Sequence, residues 1–102
     1  MKENLAALPA YENVKRVALS LDGDEFHAIE AKPGKLASVR IYAAMKDNFG
    51  TLDPKAAAFG LLQYDEYVDE ARNEPGSHPN IDLLLDIVAK GKGPYTITCE
   101  TF

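Results

Sequence analysis

The sequence predicts an α+β fold: a short N-terminal helix, a β-hairpin, three helices and a C-terminal strand joining a small, mainly antiparallel sheet. Three observations predict it. Alternating apolar and polar residues in Val14–Leu21 and Glu25–Glu30 flank an Asp22-Gly23 pair, a strong hairpin signal. The middle of the chain carries helix starts and stops, with Asp53-Pro54 and Asn80 as starts and Gly50 and Gly91 as stops. β-Branched and aromatic residues then crowd the segment 95–102.

The elements follow in order. Residues 3–8 fit one or two helical turns ending at Pro9, too short to stand without docking Leu5 and Leu8. In the first strand, Val17, Leu19 and Leu21 share a face. Two hairpin registers are open. A two-residue loop pairs Leu19 with Phe26, and a three-residue loop through Asp24 pairs Leu19 with His27. The first is favoured because it sets two large apolar side chains together. Lys32-Pro33-Gly34-Lys35 breaks the pattern. Ser38 is the expected N-cap of a helix in which Ile41, Tyr42, Met45 and Phe49 line one face, with Gly50 as its stop. The alternation of Ala37, Val39, Ile41 and Ala43 also fits a strand, but the alanines and Gly50 favour helix. A second helix runs from Asp53-Pro54 to about Asn73, with Ala57, Leu61, Tyr64, Val68 and Ala71 as its stripe. A third starts at an Asn80 cap, buries Ile81, Leu84, Leu85 and Val88, and ends at Gly91. An isolated hairpin is barely stable, so the terminal strand is expected to join it.

The 102 residues are expected to form one domain, 1–102, with no repeat, linker or low-complexity segment. The chain holds 16 acidic and 11 basic residues, a net charge of -5, which argues against nucleic acid as the main partner. No apolar run approaches the roughly 18 residues of a membrane span, and MKENLAALPAYENVKR lacks the apolar stretch of a signal peptide, so a cytoplasmic protein without a membrane partner is expected. A single cysteine excludes an internal disulfide. The charge is unevenly spread. Residues 1–52 are neutral and the whole surplus lies beyond them, with Asp65, Glu66, Asp69, Glu70 and Glu74 close together.

No Walker loop, glycine-rich dinucleotide fingerprint, paired CxxC, HExxH or GxSxG is present, so no catalytic residue, metal ligand or cofactor is assigned. Cys99 reads as a packed core cysteine, and catalysis would require a cleft joining it to His78 and an acid. His27 reads as a surface histidine on the second strand. His78 lies in Pro75-Gly76-Ser77-His78-Pro79-Asn80, ahead of a helix whose N-terminus favours an anion. Ser77, His78 and Asn80 are therefore candidate ligand-binding residues for a small molecule or anion, although structural punctuation is the simpler reading of such a loop. On one continuous helix, Asp65, Glu66, Asp69 and Glu70 would form an acidic face, with Phe59 and Leu62 upstream on the same side. Like charges four residues apart cost a few tenths of a kcal/mol each, a cost that suits a surface presented to a basic protein. A homodimer through Phe59 and Leu62 would account for those two residues equally well.

The Asp-Gly hairpin, the Lys-Pro-Gly-Lys break and, most specifically, His78-Pro79-Asn80-Ile81-Asp82 followed by Leu84-Leu85 resemble a small bacterial family of uncharacterised proteins of about this length. The resemblance covers nearly the whole chain. It implies a cytosolic bacterial protein and brings no activity, cofactor or catalytic residue. The leading expectation is a non-enzymatic interaction or regulatory module acting through the acidic helix. The alternative is a ligand-binding domain at the His78 loop.

Overall fold

Asp22 and Gly23 turn the chain with φ of 52° and 87°, the two positive values a type I′ hairpin turn requires. They join β1 (Val14–Leu21) to β2 (Asp24–Glu30) in a computed structural model that describes residues 1–102. The remaining elements are α1 (Lys2–Ala6), α2 (Leu36–Phe49), α3 (Pro54–Tyr64), α4 (Tyr67–Asn73), α5 (Pro79–Lys90) and β3 (Thr96–Thr101). β3 pairs with β1, giving an antiparallel sheet of order β2-β1-β3 and the expected α+β fold.

The hairpin has the two-residue loop, with Leu21 opposite Asp24 and Ser20 opposite Glu25, but Leu19 faces His27 rather than Phe26. A bulge is the reason: one extra residue on β2 changes the alternation and pushes Phe26 outward. Phe26 is left half-exposed and meets the edge of the Tyr95 ring at 4.8 Å. Val17 and Leu19 are buried as expected, whereas Leu21, beside the turn, is exposed.

A charge cluster that the sequence analysis did not single out staples the strands. Arg16 on β1 lies opposite Glu30 on β2 and Glu100 on β3. Its guanidinium donates to Glu25 at 2.5 and 2.8 Å and to Glu100 at 2.8 Å, and sits 3.3 Å from Glu30.

The helices differ from expectation at three ends. α2 starts at Leu36, not after Ser38, because Lys35 N–H bonds back to Lys32 at 2.8 Å and opens the helix one turn earlier. The Ser38 hydroxyl instead accepts from Tyr64 at 2.7 Å. The helix expected from 54 to 73 starts as predicted, with Asp53 accepting from Ala56 N–H at 2.9 Å, but it breaks at Asp65, which has φ 55°. A continuous helix would stack Asp65 over Asp69 and Glu66 over Glu70; the break removes Asp65 from that register. The apolar stripe survives the break, since Tyr64, Val68 and Ala71 all return to the core. In α5 the N-cap is His78, with Pro79 in the first turn, so Asn80 lies inside the helix. Its buried stripe is Ile81, Leu84 and Ile87; Leu85 is half-buried and Val88 exposed, so the stripe is rotated from the expected one.

α3 lies between α2 and α5, and Gly60 permits the approach. A Cβ there would sit 2.8 Å from both Met45 Sδ and Leu84 Cδ1, atoms of fully buried side chains. Gly60→Val is expected to cost about 2–3 kcal/mol through overpacking, read as a lower midpoint in chemical denaturation. Hydrogen bonding to Arg16 holds the Glu25 carboxyl below its usual range. Such a carboxylate adds stability above its unfolded pKa of about 4.3 and loses it as pH falls through the lower folded value. Arg16→Met is therefore expected to lower Tm at neutral pH, with the gap to wild type closing on acidification to about pH 3.

Candidate functional site

Asn80 is the buried polar residue around which the site is built. Its side-chain oxygen accepts from His27 Nε2 at 2.7 Å, and its backbone carbonyl accepts from the Tyr42 hydroxyl at 2.5 Å. A desolvated amide needs such partners. His27 comes from β2 and Tyr42 from α2, so the N-terminus of α5 is tied to both layers. His27 is thus turned toward the helices by the Phe26 bulge rather than lying on the surface as the sequence reading had it. Asn80, expected to cap α5, holds the helix in place from within.

A cavity of about 200 Å³ opens beside this joint. Lys35 and Ser38 border it from the start of α2, Tyr64 and Tyr67 from the α3–α4 elbow, and Ser77 and His78 from the loop before α5. Neither helix N-terminus has a side-chain cap, so both turn the positive end of a helix dipole to the same space. α2 leaves the N–H groups of its first turn open, whereas in α5 Pro79 has none, Ile81 N–H bonds to the His78 carbonyl at 3.0 Å, and only Asn80 N–H is left. Burial pushes the Tyr64 phenol far above its usual range, which keeps it a neutral donor to Ser38. With that bond made, the Ser38 hydroxyl retains its own proton to donate. His78 Nε2 lies 3.1 Å from Glu70 Oε1, and its ring meets Tyr67 edge to face at 5.9 Å. Ser77 donates to the Glu74 carbonyl at 2.6 Å, and Asp82 accepts from Gly76 N–H at 2.9 Å, which fixes the loop.

Of the residues predicted to bind a ligand, Ser77, His78 and Asn80 all border this cavity. The sequence analysis missed Lys35, Ser38, Tyr64 and Tyr67. Lys35 beside the Pro33-Gly34 break was the available signal, since a basic residue at a helix start without a cap leaves the N–H groups open. The residues expected to form an acidic surface are dispersed. Phe59 is half-buried and packs on Phe49 with ring centres 5.5 Å apart. Glu66 lies 2.9 Å from the Met1 ammonium, and Asp65 lies 3.5 Å from it. Glu70 faces His78. Leu62 is 71% exposed and shares an open groove with Asp65, Asp69, Arg72 and Val88.

His78, Cys99 and an acid do not meet. The groups that act on the Cys99 thiol are Lys46, Asp47 and Tyr11, and burial, the largest influence, pushes the thiol up, away from reactivity. Tyr11 donates to Asp47 at 2.7 Å, and burial with that bond moves its phenol to about 12. Tyr42→Phe is expected to cost about 1 kcal/mol in denaturation. The same variant should shift the amide resonances of His78, Asn80 and Ile81, since the lost bond anchors that turn.

No helix is long and apolar enough to cross a membrane. No curated protein and no solved structure matches the chain. A family model described as an uncharacterized protein conserved in bacteria (DUF2322) matches residues 1–98. With that match covering nearly all of the 102 residues, the chain belongs to this bacterial family.

Proposed function

We propose that this protein is a binding domain for a small anion, a carboxylate or phosphate group, in the cavity between α2, the α3–α4 elbow and α5. One observation carries the reading: two helix N-termini without side-chain caps border the same space. Each contributes about half a positive charge; the first turn of α2 adds unpaired N–H donors, α5 adds the N–H of Asn80, and Lys35 adds a full charge at the rim. Ser38, held by Tyr64, supplies a directed hydroxyl. The volume, about 200 Å³, suits a small acid or a phosphate rather than a drug-sized molecule, for which pockets usually start near 300 Å³. His78 borders the site while paired with Glu70, so ligand and carboxylate would compete for one ring.

Contact with a basic protein through the acidic segment is carried less far. That reading needs one continuous face, and the elbow at Asp65 divides it. Asp65, Glu66 and Glu70 have partners within the chain.

The test is a titration of isotope-labelled protein with sodium phosphate and sodium acetate at constant ionic strength. Saturable amide shifts are expected at Lys35–Ser38 and at His78, Asn80 and Ile81. Lys35→Ala should weaken binding about tenfold, the value of one charge-assisted bond. Shifts that do not saturate, or that fall only on lysines outside the cavity, would overturn the proposal.

A further inference from the structure

Asn80 is only 9% exposed, yet its polar groups do not all find partners within the chain. Oδ1 accepts from His27 Nε2, and the backbone carbonyl accepts from the Tyr42 hydroxyl. The side-chain nitrogen Nδ2 and the backbone N–H make no bond. Every fully buried side-chain polar atom of the protein does have a partner. Nδ2 therefore reaches open space, and the open space that Asn80 borders is the cavity between α2, the α3–α4 elbow and α5. The bond from His27 decides which way the amide faces. With Oδ1 held toward β2, the two N–H groups of Nδ2 turn to the cavity. Donors left without an acceptor in so dry a place cost free energy that an oxyanion recovers.

The rest of the wall sets the class of that oxyanion. No acidic residue lines the cavity, in a chain that has 16. Lys35 is the one wall side chain with a full positive charge. Two carboxylates stand just outside the wall, Glu70 at 3.1 Å from His78 and Glu66 at 2.9 Å from the Met1 ammonium. Lys35 thus balances one negative charge, and a second would meet Glu70 and Glu66. A phosphate group carries about 1.5 to 2 charges near pH 7, whereas a carboxylate carries one. Ala37, Tyr64, Tyr67 and Ile81 add hydrocarbon to the same wall, which a phosphate leaves wet and an alkyl chain covers.

We infer that the ligand of this cavity is a short-chain monocarboxylate, with its carboxylate on the Asn80 side-chain amide and the first turn of α2 and its alkyl end against Tyr64 and Tyr67. The inference rests on the anion-binding reading and narrows it to one chemical class. A volume of about 200 Å³ limits the chain to a few carbons.

The test is a titration of isotope-labelled protein with sodium acetate, sodium butyrate and sodium phosphate at constant ionic strength, followed at the side-chain NH2 resonances of Asn80. Butyrate should bind about tenfold more tightly than acetate, the effect of two more buried methylenes, and more tightly than phosphate. The Asn80 NH2 pair should shift and saturate together with the backbone amides of Lys35–Ser38. Asn80→Asp keeps an oxygen for His27 and the backbone carbonyl for Tyr42 but replaces the donor with a carboxylate oxygen. It should abolish butyrate binding with unchanged circular dichroism. Should that variant fail to fold, the Asn80 resonances of the wild type decide. Three outcomes overturn the inference and leave the anion site standing: saturable shifts at Lys35–Ser38 with the Asn80 NH2 pair unmoved, acetate or phosphate bound as tightly as butyrate, or butyrate bound by Asn80→Asp as by the wild type. No saturable shift with any of the three salts overturns both.

Discussion

The hydrogen-bonded joint at Asn80 is the constraint on which the arrangement of this protein depends. A buried amide in the first turn of α5 has no solvent to turn to, so its partners must come from elsewhere in the fold. They come from Tyr42 on α2, which donates to the backbone carbonyl, and His27 on β2, which donates to the side-chain oxygen. Apolar burial is non-directional and tolerates sliding, whereas these two bonds do not. They fix where α5 begins, and with it the placement of His78 beside Glu70 and of the helix N-terminus at the cavity. The bulge at Phe26 serves the same joint, since it is what turns His27 inward.

The charge of -5 takes on a different meaning in three dimensions. One arginine gathers Glu25, Glu30 and Glu100 on the outer face of the sheet. Lys90 and Lys92 share Asp86. The elbow at Asp65 sends neighbouring acids in different directions, some to the Met1 ammonium and one to His78. The excess is thus divided among local clusters, most of them with a cation at their centre.

Local chemistry was legible in the sequence and tertiary chemistry was not. The Asp22-Gly23 turn, the Asp53 cap with Pro54 behind it, and the stops at Gly50 and Gly91 are short-range devices, and the fold class followed from them. The Phe26 bulge left no local mark, because it is set by what His27 meets on the far side of the sheet. The break at Asp65 was hidden for a related reason: the apolar stripe runs through it unbroken, so periodicity alone reads one helix. At the site, the His78 loop announced itself by composition. Its companions Ser38 and Tyr64 did not, since each is an ordinary helix residue until the other is brought within reach.

The strand order β2-β1-β3 also bears on how the chain reaches this structure. On one side β1 meets a neighbour two residues away through a tight turn; on the other, Val17 meets Cys99 at the far end of the sequence. Loop-closure entropy grows by about 0.6 kcal/mol for each doubling of length, so the second pairing starts several kcal/mol behind the first. The hairpin can form early and by itself, but β3 has to wait for the helices to bring it back. The sheet is therefore a kinetic record of the whole fold, with a fast local half and a half that closes only when the packing of α2, α3 and α5 is already in place.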